Sequence, residues 1–148
     1  MIRILVATII LAFGAATAQA QNVDIIKKRI ETYKSILPDL KIGKQMLKGQ
    51  LPFDATAAKK VFTTYAAAAK MLKTMFPDDS KTGADTRALP AIWEKKADFD
   101  AKMAKFETDS LAAVGTITDL GSFKAAWGDV MSNCGGCHKP YRAKKEKK

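Results

Sequence analysis

Apolar positions recur along most of this chain at the three-and-four spacing of an amphipathic helix, and no stretch alternates as a half-buried strand would. Ile26, Ile30, Tyr33 and Leu37 mark one face of a helix that begins near Val23. Pro38 lacks a donor and crowds the carbonyl of Lys34. It predicts a kink, after which the helix resumes through Leu40 and Met46 and stops at Gly49. Residues 49–53 read as a connection, with Asp54 as N-cap of a second helix. Phe62, Tyr65, Ala69, Leu72, Met75 and Phe76 carry that helix's period to Pro77. Residues 77–87 are polar and hold glycine and proline, the pattern of a surface loop.

Pro90 suits the first turn of a third helix, whose inner face runs through Trp93, Phe99, Met103, Phe106, Ser110 and Val114. Residues 115–121 form the last connection. Phe123, Trp127, Val130, Met131, Cys134, Cys137 and Tyr141 share a face of the fourth helix, and Pro140 predicts its bend or end. Four helices with short loops predict an all-α fold, an antiparallel four-helix bundle.

The first twenty residues stand apart from this pattern. Arg3 supplies a charge, residues 4–13 an apolar run, and Ala18-Gln19-Ala20 a small-x-small cleavage site. Residues 1–20 therefore read as a secretory signal peptide cleaved after Ala20, and residues 21–148 as one domain. An uncleaved anchor is the alternative, although the run is short for a bilayer span. No other stretch is apolar enough to cross a membrane. With 25 Lys and Arg against 15 Asp and Glu the chain carries a formal charge of +10. For an exported protein that balance points to acidic partners and away from nucleic acid.

The chemistry concentrates in Cys134-Gly135-Gly136-Cys137-His138. Cys-x-x-Cys-His is the attachment signature of a c-type haem, with two thioethers to the porphyrin and an imidazole on the iron. Spacings of three and four put all three side chains on one face of a helix. A redox dithiol or a disulfide is the alternative. A four-thiolate zinc site is excluded, because these are the chain's two cysteines and His138 is its one histidine. Export agrees with haem attachment, which bacteria complete outside the cytoplasm, and both ends of the chain thus point to the periplasm.

A secreted all-α chain with this motif at its C-terminal end resembles the class II c-type cytochromes, in particular the cytochrome c′ family. Arg29, the run 48–54, the segment from Asp85 to Ile92-Trp93, and the last helix from Ala125 through Tyr141 and Arg142 carry the resemblance. It implies one haem c per chain inside the bundle, attached through Cys134 and Cys137 and ligated by His138. It further implies that Arg29 meets a haem propionate, that Tyr33 lies over the far face of the iron, and that Arg142 lies beside His138. Asp85 and Thr86 approach the haem edge, in a register blurred by an insertion near Ala88 and Leu89. Ile30 stands where many members have a polar residue, which removes one propionate contact. Pairing of copies through the first two helices is also implied.

Position 33 separates two functions. Low-spin members of the class carry Met there and only transfer electrons. A phenol ligates iron only as tyrosinate, which its ordinary pKa of about 10 makes costly at neutral pH. Tyr33 therefore predicts a five-coordinate iron that binds small gases such as NO and CO, transfers electrons with acidic periplasmic partners, or does both. Six-coordinate iron in a pure electron carrier is the alternative. Met46, the rival ligand, lies about 20 Å beyond Tyr33 on a straight helix. No second histidine is present for acid–base chemistry, so a catalytic role is not expected. The basic run 142–148 reads as a solvated end or as a docking element for an anionic surface.

Overall fold

The computed structural model describes residues 22–144. The stretch expected to be a signal peptide, its expected cleavage site and the last four residues of the basic tail lie outside them. The described chain is an antiparallel four-helix bundle built from α1 (Val23–Ser35) and α2 (Leu37–Leu47), α3 (Ala55–Leu72), a short α4 (Ala91–Glu94) with α5 (Lys96–Thr116), and α6 (Leu120–Tyr141). α3 packs chiefly on α5, and α5 on α6.

Local chemistry sets most of the ends. Asn22 caps α1 by accepting from the Ile25 N–H at 3.1 Å, and Asp54 caps α3 through the Ala57 N–H. Asp119 and Ser122 form a reciprocal capping box at the start of α6. Gly49 ends α2 at φ +68°, where only glycine is unstrained. The Gly49 N–H bonds the Met46 carbonyl and the Gln50 N–H bonds that of Gln45, which closes the helix with both bonds of a Schellman turn.

Several elements depart from the sequence pattern. The first break falls at Ile36, and Pro38 sits in the first turn of α2, where its missing N–H costs nothing. The first stripe is divided. Ile26 is buried together with Arg29 and Thr32, Ile30 and Tyr33 are half-buried, and Leu37 is 52% exposed. That stripe faces a cavity, so burial in the core does not follow its period. α3 stops at Leu72, and Met75 and Phe76 are buried beyond its end. Residues 77–87 are not simply surface, because Ser80 is fully buried in a 3-10 turn where it accepts from Arg29. The third helix is interrupted at Lys95 (φ −120°, ψ 44°). The break sets Trp93 against Phe76, ring centroids 6.1 Å apart, with its indole N–H on the Phe76 carbonyl at 3.1 Å. α5 extends to Thr116, past Gly115, and the following Ile117 is fully buried.

The core has two parts. One gathers Met46, Val61, Phe62, Ile117, Phe123 and Val130. The other gathers Leu72, Met75, Phe76, Ile92, Phe99 and Met103. α2 meets α6 closely at Gly43, where an added Cβ would lie 2.1 Å from Trp127 Cζ3. Gly43→Ala is expected to lower stability by about 1–3 kcal/mol through overpacking, read as a lower urea midpoint. An unchanged midpoint would show that the Trp127 ring moves aside freely.

Candidate functional site

Between the two parts of the core lies a cavity of about 910 Å³, near the upper end of the roughly 300–1,000 Å³ range that holds cofactors. Cys134, Cys137 and His138 open onto it from α6, as their spacing on one helical face requires. Arg29 and Tyr33 open onto it from α1, Asp85 and Thr86 from the loop, and Arg142 from the residue that ends α6. All eight residues singled out in the sequence thus line one cavity. Gly135 and Gly136, between the cysteines, face solvent with open space at the Cβ position.

Arg29 is 2% exposed. Its Nη1 donates to the Met75 carbonyl at 3.1 Å and to Ser80 Oγ at 3.3 Å. Its Nη2 donates to the Ser80 carbonyl at 3.4 Å and to Thr86 Oγ1 at 3.2 Å. Phe76 lies beneath it, 4.4 Å from Cζ to the ring centroid. All four acceptors are neutral oxygens. Burial lowers the pKa of the guanidinium, though a group that ordinarily titrates above 12 keeps its charge. The cation at the cavity wall is therefore solvated by dipoles, and an anionic group in the cavity would be drawn to it.

His138 is the opposite case. Burial, then Arg142 and Arg87, push its pKa below the ordinary value, so the imidazole is neutral near pH 7. Arg142 Nη1 stands 3.4 Å from Nε2. A guanidinium can only donate, which assigns the lone pair to Nε2 and the proton to Nδ1. Residues 87–89 are stitched to the end of the same helix. The Leu89 N–H bonds the Tyr141 carbonyl at 3.0 Å, the Ala143 N–H bonds the Arg87 carbonyl at 2.8 Å, and Arg87 Nε donates to the Ala143 carbonyl at 2.9 Å. That clasp carries Thr86 and Arg87 to the histidine. Burial also raises both cysteine thiols, which keeps them protonated.

Three phenols surround the cavity. Burial first, and then Cys137, raise Tyr33, so it stays a neutral hydroxyl across the physiological range. Tyr141 is pushed up to about 12, by burial and then by its bond to Asp98, which accepts from the hydroxyl. Tyr65 is 1% exposed, its pKa is raised by burial, and its Oη has no hydrogen-bond partner among the described residues. A buried hydroxyl without a partner costs about 1–3 kcal/mol. The sequence offered no sign of Tyr65's place here. It lies in phase with the apolar stripe of α3, and only the packing shows that it lines the cavity. Trp127 and Met131 likewise looked like core positions and line the cavity. Met46 is packed in the core and does not line it.

The donor set fits a porphyrin joined by two thioethers. Two thiols and a neutral imidazole share one wall, a cation with neutral partners stands at another, and the remaining lining is largely aromatic and aliphatic.

Similarity to known proteins agrees with this set. The chain matches the family described as Cytochrome C' over residues 24–142. It is 44% identical over 137 residues to the cytochrome c′ of Rhodopseudomonas palustris, covering 93% of this chain and 92% of that one. It is 39% identical over 121 residues to a cytochrome c-556 of Agrobacterium fabrum, covering 81% and 82%. The solved structure of the Rhodopseudomonas palustris cytochrome c′ superposes with a TM-score of 0.81 at 45% identity, over 83% of this chain and 98% of its own.

The raised phenols give a pH dependence. Keeping Tyr33 and Tyr65 neutral stabilises the fold below the unfolded phenol pKa of about 10. That stability is lost as pH rises through and beyond it, because the unfolded phenols ionise first. The Tyr33→Phe, Tyr65→Phe double variant should therefore lose less stability than the parent between about pH 8 and about pH 11, measured as urea midpoints. Equal losses would contradict the burial of these hydroxyls.

Proposed function

This chain belongs to the cytochrome c′ family, and we propose that it is a periplasmic five-coordinate haem protein that binds small diatomic gases and exchanges electrons. A c-type haem is the cofactor of the family. On this reading Cys134 and Cys137 hold it by thioethers, His138 Nε2 is the axial ligand, and residues 1–20 are removed on export. A bound haem supplies one-electron exchange at iron and an axial position for a small neutral ligand.

The observation that carries the reading is the placement of Tyr33 on the cavity that the motif lines. Its phenol is held neutral by burial, so it blocks and shields and does not ligate. Among the described residues no methionine takes that part. Met46 lies in the core, and Met131 is two turns before His138 on the same helix face, which places it on the histidine's side. Arg29, with Thr86 accepting from it, is poised to hold a propionate, and its existing bonds keep it from reorienting when it does. Arg142 favours the neutral Nε2 lone pair and so readies His138 for the metal. A point mutant of the cytochrome c prime from Alcaligenes xylosoxidans, 28% identical with a TM-score of 0.73, has been solved as a nitric oxide complex, which supports gas binding here. The surplus of basic residues supports the electron-carrying role.

The test is the absorption spectrum of the purified ferrous protein. Adding CO should shift the Soret band of the parent. Tyr33→Met should supply a sixth ligand and remove that response. A split low-spin pattern in the parent before any CO is added would overturn the five-coordinate reading and leave a six-coordinate electron carrier.

A further inference from the structure

We propose that the exposed stripe of α2, together with the rim of the cavity, is the docking face for an acidic protein surface. The inference rests on the haem reading above and names the partner of that same site. Leu37, Lys41, Lys44 and Lys48 are spaced four, three and four apart, so they form one exposed line along α2. Leu37 and Lys44 line the cavity, as do Lys34, Arg87 and Arg142 from the neighbouring elements. Of the charged residues at the cavity, Asp85 alone is acidic.

Pairing separates this face from the α5 side of the molecule. The five ion pairs among the described residues join Lys73 to Glu107, Lys81 to Asp78, Lys96 to Asp100, Lys102 to Asp98 and Lys105 to Asp109. Three lie within α5, and none involves α1, α2 or α6. The α5 side thus balances its own charge, whereas Lys34, Lys41, Lys44 and Lys48 present theirs outward. An apolar residue, Leu37, sits at the cavity end of the line. Charges around an apolar contact at the edge of a redox site have the composition of a transient protein interface, in which charge sets the encounter rate and the apolar centre sets the fit.

The occupant follows from place and sign. A partner seated here covers the mouth of the cavity, which an electron partner must do and a lipid surface has no reason to do. A second copy through the same stripe would set lysine against lysine. The partner is therefore an acidic protein surface.

The test uses the haem-loaded, 15N-labelled protein and an acidic flavodoxin as the probe. Amide shifts should concentrate in residues 34–48 and around Arg87, and binding should weaken as salt rises. The triple variant Lys41→Glu, Lys44→Glu, Lys48→Glu should bind about tenfold more weakly or worse. The triple variant Lys60→Glu, Lys70→Glu, Lys95→Glu makes the same change in net charge at exposed positions off the cavity. It should stay within about twofold of the parent. Equal weakening in both variants, shifts mapped elsewhere, or no binding by the parent would overturn the proposal. So would stripe-dependent sedimentation with phosphatidylglycerol vesicles in place of flavodoxin binding, or a stripe-dependent dimer. Spectra of each variant, with and without CO, separate this inference from the one beneath it. A colourless parent would sink the haem reading, whereas a coloured protein whose flavodoxin binding ignores the stripe would sink only the docking face.

Discussion

A guanidinium taken out of water is the constraint around which this bundle is arranged. Arg29 is almost wholly buried, and a buried cation without dense hydrogen bonding is not tolerated. The chain meets that demand with neutral oxygens from residues far away in sequence: the Met75 carbonyl, both oxygens of Ser80, and Thr86. The end of α3 stops at Leu72 and the following segment turns inward, so that these oxygens face one point. Phe76 then lies under the charge and Trp93 against Phe76. One residue of α1 therefore fixes a wall of the cavity made from the loop that follows α3.

Another wall is fixed by covalent spacing instead of charge. Three residues on one face of α6 present two thiols and an imidazole together. The clasp between residues 87–89 and the end of that helix brings the loop to the same place from the other side. Thr86 belongs to both systems, since it accepts from Arg29 and its neighbours in sequence pair with the residues just beyond His138. A displacement at either wall would be felt at the other through this short segment. Packing in the two parts of the core holds the helices at a fixed separation around the cavity, and the Gly43–Trp127 contact sets how closely α2 and α6 can approach there.

Electrostatics divides the molecule in the same way. Neutral forms are favoured inside, for His138, both cysteines and the phenols of Tyr33 and Tyr65, because burial penalises charge. Arg29 is the exception, because its ordinary pKa is too high for burial to neutralise it. Outside, lysines on α5 are matched by carboxylates one turn away, whereas those of α2 are not.

The sequence by itself determined the helical class, the cap at Asp54, the stop at Gly49 and the Cys-x-x-Cys-His motif, because each depends on residues within a few positions of one another. It also named the residues from distant segments that meet at the cavity, through resemblance to a family and not through spacing. What it could not determine depends on partners remote in the chain. Ile30 and Tyr33 keep a helical period yet face a cavity, and Leu37, next in that period, is exposed at its rim. Residues 77–87 look like a solvated loop yet bury Ser80 to solvate Arg29. Tyr65 has the phase of a core residue yet lines the site. A period records which side of a helix faces inward, and only the assembled bundle decides whether inward means packed core, buried charge or cavity.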